Sequence, residues 1–128
     1  MLFDKNDGDN IDQNVLTILQ DYENIFYISS IALREVIKLY NDGELKSIKY
    51  KSYKELISFI DILGIEIKPF TKQHVMVYAS LGLTKDHKDP NDHMIISQSI
   101  SDKIPIISSD RKFKLYENQG LQFILNER

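Results

Sequence analysis

The chain has 128 residues, of which 42% are hydrophobic and 27% are charged, with five glycines and three prolines. These values are typical of one folded domain with a substantial core, and they exclude a disordered or low-complexity protein. Sixteen basic residues against 19 acidic residues give a formal net charge of -3, so any nucleic-acid role requires a local basic patch rather than the overall charge.

The absence of cysteine excludes disulfides, thiolate metal ligands and cysteine nucleophiles. No signal sequence follows the amino terminus, and no apolar run approaches the roughly 18 residues that a membrane span requires. We therefore expect a cytoplasmic chain that makes no membrane contact. We also expect a single domain over residues 1–128.

Five amphipathic helices are predicted from apolar residues spaced three and four positions apart. Their approximate ranges are 11–22, 30–40, 51–63, 71–81 and 90–101. Asn10 is expected to cap the first helix, and Ser29 or Ser30 the second. Gly64 and Gly82 are expected to end the third and fourth.

Four short apolar segments between or after these helices are predicted to be strands. They cover residues 24–30 (NIFYISS), 65–70 (IEIKPF), 104–107 (IPII) and 121–125 (LQFIL). Strands that alternate with helices predict a mainly parallel sheet with helices on both faces. The fold class is therefore α/β, as a three-layer α/β/α sandwich.

Three aspartates lie next to the helix at 90–101 or the strand before residue 110. Asp89 precedes Pro90 and is expected to cap the helix that begins there. Asp92 falls in the first turn, where the helix dipole favours a negative charge, and a chemical role is equally open. Asp110 follows the strand, so it suits either a cap for a turn toward Phe113 or chemistry at the sheet edge.

Glu35 is predicted to face inward, because Ile31 and Leu39 flank it at four-residue spacing on one helix. A carboxylate in that position is costly unless something pairs with it, and a nearby lysine is one possibility. A cation is another. A parallel sheet is expected to bring Glu35, Asp92 and Asp110 to one edge, where crowded carboxylates repel unless a cation lies among them. Oxygen ligands suit Mg²⁺ or Mn²⁺, which can activate water at a phosphodiester.

Other catalytic patterns have little support. The spacing of His74, His87 and His93 fits no strong zinc motif, and we expect these histidines in loops or at the surface. Neither a glycine-rich phosphate loop nor a G-x-S-x-G motif is present, which excludes nucleotide-dependent phosphoryl transfer and serine hydrolase chemistry. A receiver-type phosphoacceptor domain needs an acid pair after the first strand and a lysine after the last, and neither is clear.

Two segments carry a family resemblance. HKDPNDHMIISQSISDKIPIISSDRKF, at residues 87–113, resembles the carboxy-terminal signature of PIN domains, and YISSIALREV resembles the earlier S-x-x-x-x-E segment of that family. The resemblance runs from about residue 11 to the end of the chain. Toxins of VapBC-type toxin/antitoxin pairs are the members that this chain resembles most.

The resemblance implies a Mg²⁺- or Mn²⁺-dependent endoribonuclease that uses a metal-activated water and is silenced by a cognate antitoxin, as a homodimer or as a hetero-oligomer. It implies that Glu35, Asp92 and Asp110 are catalytic metal-site residues. Asp89 matches an additional aspartate before the helix, and Ser109 matches a small hydroxyl residue that supports the site.

Basic residues near these positions are expected to hold the RNA backbone, although a solvated helix face or turn is the alternative interpretation. They are Lys46, Lys49, Lys51, Lys88 and Arg111.

The resemblance stops at the amino terminus. Members of the family begin with a central strand that ends in L-L-D-T and supplies a metal-binding aspartate, whereas MLFDKNDGDNIDQNVLTIL resembles the end of the following helix. Asp4 stands in the wrong setting to replace that aspartate. We therefore expect an amino-terminally truncated domain with its first central strand missing and a gap in the sheet.

A start upstream of Met1 or a truncation is the favoured origin of that gap. Closure by sheet rearrangement, by a partner or by strand exchange is an alternative, and so is a decayed copy. A catalytically impaired scaffold that binds an antitoxin or RNA without cleaving is accordingly the second functional hypothesis.

Overall fold

The computed structural model describes residues 11–43 and 52–127. Its elements, in chain order, are α1 (Gln13–Gln20), β1 (Tyr27–Ser29), α2 (Ser30–Asn41), α3 (Tyr53–Ile62), β2 (Glu66–Lys68), α4 (Lys72–Ser80), α5 (Pro90–Asp102), β3 (Ile106–Ser108), a 3₁₀ helix (Arg111–Gln119) and β4 (Phe123–Leu125). The predicted α/β alternation is confirmed. Asn10, Asp4 and the lysines Lys46, Lys49 and Lys51 lie outside the described residues. Over the two described ranges, no helix has the length and apolar character needed to cross a bilayer.

All four strands are short and pair in parallel, β1 with β2 and β3 with β4. The registers place Ile28 opposite Ile67 and Ile107 opposite Ile124. Within the described residues no ladder joins β1 to β3, so the strands form two separate pairs rather than one continuous sheet. The parallel pairing agrees with the expected α/β fold.

Side chains at the helix starts determine where the helices begin. The first helix starts at Gln13 rather than at residue 11, because Asp12 caps it by accepting from the Val15 N–H at 2.7 Å. The same carboxylate accepts from the Glu127 N–H at 2.6 Å, which ties the start of α1 to the segment after β4. Ser29 caps α2 as predicted, since its hydroxyl accepts from the Ile31 N–H.

The segment after β3 differs from the sequence-based expectation of a short turn. Residues Arg111–Gln119 form a 3₁₀ helix that ends at Gly120, whose φ of 104° favours glycine. Phe113 and Tyr116 are fully buried on its inner side. Their three-residue spacing matches the three residues per turn of this helix, which explains why the apolar pair fixes its orientation.

Helix α5 packs against α2, α4 and the 3₁₀ helix and carries the centre of the core. Ile96 on this helix is fully buried. The buried apolar cluster around it consists of Ile28, Ala32, Ile60, Ile65, Ile95, Ile96, Ile106, Phe113, Tyr116 and Leu121. Removal of this apolar surface from water is the main stabilising term for the fold.

The buried polar side chains of α5 are hydrogen-bonded. The Gln98 amide accepts from the Ser29 hydroxyl at 2.6 Å and donates to the backbone carbonyls of Lys68 and Pro69. The Ser97 hydroxyl donates to the His93 carbonyl one turn earlier. Gln98 therefore links α5 to the carboxyl ends of β1 and β2 without leaving a buried amide unpaired.

We expect Ile96→Ala to lower the free energy of unfolding by about 2–5 kcal/mol, because it leaves a cavity in the centre of the core. Ile62→Ala is the control, since Ile62 is 80% exposed on α3, and its effect should stay within about 0.5 kcal/mol. Urea denaturation followed by circular dichroism measures both values. Equal losses in the two variants would contradict this description of the core.

Candidate metal centre

Four carboxylates occupy positions that begin α5 or closely follow β1 and β3. Glu35 lies in the second turn of α2, which directly follows β1. Asp89 and Asp92 lie at the start of α5, and Asp110 follows the end of β3. The helices and strands next to these acidic residues also contribute to the buried core.

The structure brings Asp92 and Asp110 together with His87. One potential ligand atom from each of these three residues lies within 4.8 Å of the other two. The Nε2 atom of His87 is 3.0 Å from Oδ2 of Asp92. Glu35 and Asp89 are close enough to Asp92 for their charges to interact with it.

Glu35 is half-buried, and its electrostatic environment opposes ionisation. Burial raises the pKa of its carboxyl group, and the negative charges of Asp89 and Asp92 raise it further, while Arg34 and Asn91 act in the opposite direction. Its Oε1 atom is buried and has no hydrogen-bond partner among the described residues. In that part of the chain no lysine forms an ion pair with it, so the predicted pairing with a lysine is not found there.

Asp92 has a similar environment with one compensating contact. Burial raises the pKa of its carboxyl group, and the charges of Asp89 and Asp110 contribute in the same direction. The hydrogen bond from His87 opposes these effects by stabilising the ionised form. Asp92 also lies in the first turn of α5, where the exposed backbone N–H groups favour a negative charge.

Asp89 and Asp110 cap helices and belong to the acidic group as well. Oδ1 of Asp89 accepts from the Asn91 N–H at 2.9 Å, and Oδ1 of Asp110 accepts from the Lys112 N–H at 2.9 Å. Each of these caps uses one carboxylate oxygen. The capping interpretation is therefore confirmed for both residues, and it is compatible with a cation at the second oxygen.

The hydroxyl that supports Asp110 belongs to Ser108. Its Oγ atom accepts from the Asp110 N–H at 3.1 Å. Ser109, which the resemblance pointed to, accepts instead from the side-chain amide of Asn126 at 3.0 Å. Ser109 thus connects the end of β3 to the segment after β4, and its role in the site stays a prediction.

Of the three histidines only His87 lies in a loop, between α4 and α5, and the expectation of a surface position is wrong because all three are buried and hydrogen-bonded. His74 accepts from the Thr71 N–H and contacts Asp102, and His93 donates to the His87 carbonyl. His87 was not among the predicted site residues. The signal for it is local: the Asp89-Pro90 helix start turns the chain so that a residue five positions before Asp92 returns to its carboxylate.

The donor set fits a hard divalent cation. Carboxylate oxygens are the usual ligands of Mg²⁺ and Mn²⁺. Burial raises the pKa values of Glu35 and Asp92 most and repulsion between the carboxylates raises them further, and a cation would relieve that repulsion. The unpartnered Oε1 of Glu35 is a further oxygen available to such an ion. The residues present therefore match the chemistry of a magnesium or manganese site.

Cationic residues are the chain neighbours of three of the acids. Lys88 and Arg111 are exposed next to Asp89 and Asp110 along the chain. Arg34, next to Glu35, is exposed and reaches the Asn91 side chain at 3.4 Å. These groups supply positive charge at the rim of the acidic group.

Comparison with known proteins shows which family the chain belongs to. The family model described as PIN domain matches residues 2–118. The chain belongs to the PIN domain family. No curated protein matches its sequence.

The PIN domain is also similar to a solved structure, that of VapBC2 from Rickettsia felis bound to a DNA fragment from their promoter. The match has a TM-score of 0.56 and 23% sequence identity, and covers 89% of this chain and 83% of that one. At this identity the likeness shows a shared fold.

Glu35→Gln should increase the stability of the metal-free protein at neutral pH. Because the folded-state pKa of Glu35 is raised, the folded state binds more protons, and stability falls as pH rises from the unfolded pKa of about 4.3 through the raised value. The gain should therefore be present near pH 7 and disappear below about pH 4.

Urea denaturation in EDTA at several pH values tests this expectation. Glu117→Gln, at an exposed position of the 3₁₀ helix, is the control, and its effect should stay within about 0.5 kcal/mol throughout. A Glu35→Gln variant that is less stable than the wild type at pH 7 would contradict the electrostatic description.

Proposed function

We propose that this PIN domain is a metal-dependent endoribonuclease of toxin/antitoxin type. Glu35, Asp92 and Asp110 would hold Mg²⁺ or Mn²⁺, and Asp89 would contribute as a further carboxylate. The observation that carries the proposal is the approach of Asp92, Asp110 and His87 to within 4.8 Å of one another. The unpartnered oxygen of Glu35, whose charge interacts with Asp92, supports it. When bound, the cation supplies Lewis-acid activation of water and stabilises negative charge at an RNA phosphodiester.

The chain's own contribution is to fix the acidic groups before the substrate arrives. Helix caps hold one oxygen each of Asp89 and Asp110, and His87 holds one oxygen of Asp92. These bonds restrict the rotation of the carboxylates, so little reorganisation is needed when charge develops at the phosphodiester. Burial of Glu35 and Asp92 also limits the access of bulk water, which strengthens electrostatic interactions in the site.

RNA recognition is proposed to depend on a local basic rim, because the chain as a whole is acidic. Exposed Lys88 and Arg111 lie next to the acids and can contact phosphates without reading the base sequence. Lys46, Lys49 and Lys51 are proposed to extend this surface. Ser109 is proposed to support the site from the end of β3.

An antitoxin is the proposed protein partner, in a hetero-oligomer that can include a homodimer of this chain. One solved structure with a similar fold is that of VapBC2 from Rickettsia felis. The end of helix α3 offers a contact surface, since Phe59 and Ile62 on it are 39% and 80% exposed and the capping residue Leu63 is 53% exposed. A toxin of this type acts in the cytoplasm, which is compatible with a cysteine-free chain.

The cleavage proposal predicts that the purified protein cuts structured RNA in the presence of Mn²⁺ and that EDTA abolishes the cleavage. Asp92→Asn should reduce the rate by at least about 100-fold, since loss of a ligand exceeds the 10- to 100-fold effect typical of an outer-shell partner. Gel analysis of end-labelled RNA measures the rate. Asp61→Asn, at an exposed position of α3, is the matched control and should cleave as the wild type does.

A catalytically impaired scaffold that binds an antitoxin or RNA without cleaving is the second candidate. It is favoured by the separation of the two strand pairs, because no ladder joins β1 to β3 in the described part of the chain. Mn²⁺ titration distinguishes the candidates. No Mn²⁺ binding at millimolar concentration, with an intact circular dichroism spectrum, would favour the scaffold and contradict the nuclease.

A further inference from the structure

His87 is hydrogen-bonded at both ring nitrogens and is almost completely buried. Nε2 lies 3.0 Å from Oδ2 of Asp92, and Nδ1 lies 3.1 Å from the Tyr116 hydroxyl. The exposed fraction is 3% for His87 and 0% for Tyr116. The histidine therefore connects a core tyrosine to one of the proposed metal-binding carboxylates.

The partners determine the direction of these hydrogen bonds. An ionised carboxylate can only accept, so Nε2 of His87 carries the hydrogen that points at Asp92. Nδ1 then has a free lone pair and accepts from the Tyr116 hydroxyl. The donors run in one direction, from Tyr116 through His87 to Asp92, and each member fixes the orientation of the next.

The ring is also held by its surroundings. It packs against His93, Phe113 and Tyr116 with ring centroids 5.0, 5.6 and 5.4 Å away. The backbone carbonyl of His87 accepts from Nε2 of His93 at 2.8 Å. Side chain and backbone are thus both fixed, as precise positioning of a metal ligand requires.

We propose that His87 is a positioning residue of the metal centre, which holds Oδ2 of Asp92 and would leave Oδ1 available to a cation. Tyr116 supports it by keeping the hydrogen on Nε2. The inference rests on the proposed metal-dependent function and assigns to that site a residue outside its four carboxylates. Histidine and carboxylate partners of this kind are known to orient metal ligands and to tune their basicity.

A second buried histidine in the same chain provides a matched control. Nε2 of His74 lies 2.9 Å from Oδ1 of Asp102, and the two side chains are 4% and 22% exposed, close to the 3% and 19% of His87 and Asp92. What differs is the setting, because Asp110 completes a group of potential ligands around His87. A purely structural role would make the two histidines equivalent in their effect on metal affinity.

The test is the Mn²⁺ dissociation constant of the full chain, measured by titration with electron paramagnetic resonance of free Mn²⁺. His87→Phe keeps an aromatic ring but removes both nitrogens, and it should weaken Mn²⁺ binding about 10- to 100-fold. His87→Gln retains an N–H donor that can reach Asp92 and should restore most of the affinity. His74→Phe should bind Mn²⁺ as the wild type does, even if its melting temperature falls as far as that of His87→Phe.

The outcomes separate this inference from the proposed function. A wild-type protein that binds no Mn²⁺ overturns both. A wild-type protein that binds Mn²⁺, with unchanged affinity in His87→Phe or with an equal loss in His74→Phe, overturns the positioning role alone.

Tyr116→Phe gives an independent test if His87→Phe does not fold, as judged by circular dichroism. It removes one hydroxyl and keeps the buried ring, so the donor that fixes the His87 tautomer is lost. We expect weaker Mn²⁺ binding than in the wild type, by a smaller factor than for His87→Phe. An unchanged dissociation constant in Tyr116→Phe would overturn the proposed part of Tyr116. If His87→Phe does not fold, that same result would overturn the inference as a whole.

Discussion

Burial of helix α5 is the constraint on which the rest of the structure depends. The helix carries polar side chains into the core, and each must find an internal partner because water is excluded. Gln98 forms hydrogen bonds at the ends of β1 and β2, and Ser97 forms one within the helix. The position of α5 relative to the strands is therefore set by hydrogen bonds as well as by apolar packing, and its first turn, with Asp89 and Asp92, is fixed as a result.

The carboxylates of the acidic group are held in place by local hydrogen bonds although their charges repel one another. Asp89 and Asp110 each gain a backbone hydrogen bond as caps, and Asp92 gains one from His87. These bonds hold negative charges close together. Burial, and then repulsion between the carboxylates, raises the pKa values of Glu35 and Asp92. The caps thus help to hold together carboxylates that would otherwise repel one another and move apart. A divalent cation would be attracted to such a group of carboxylates.

Local patterns predicted the elements better than they predicted the contacts between them. The strands at 24–30 and 104–107 and the helix start at Asp89 follow from apolar runs and capping chemistry, which act over a few residues. The 3₁₀ helix after β3 was missed because its two inward residues, Phe113 and Tyr116, lie in a segment that is mostly polar and therefore suggests a turn. The histidines were misjudged for a related reason: their burial depends on partners up to 29 positions away.

The sequence by itself determined the α/β class, the family resemblance and the identity of the acidic residues, because periodicity, caps and short motifs depend only on residues that are close together in sequence. Only the tertiary structure decided which carboxylates meet, that His87 joins Asp92 to Tyr116, and that the strands form two parallel pairs among the described residues. The physical reason is that these features depend on how separate elements pack. Distances between side chains that are far apart in sequence are fixed by the burial of α5 and its hydrogen bonds, and no local pattern contains them.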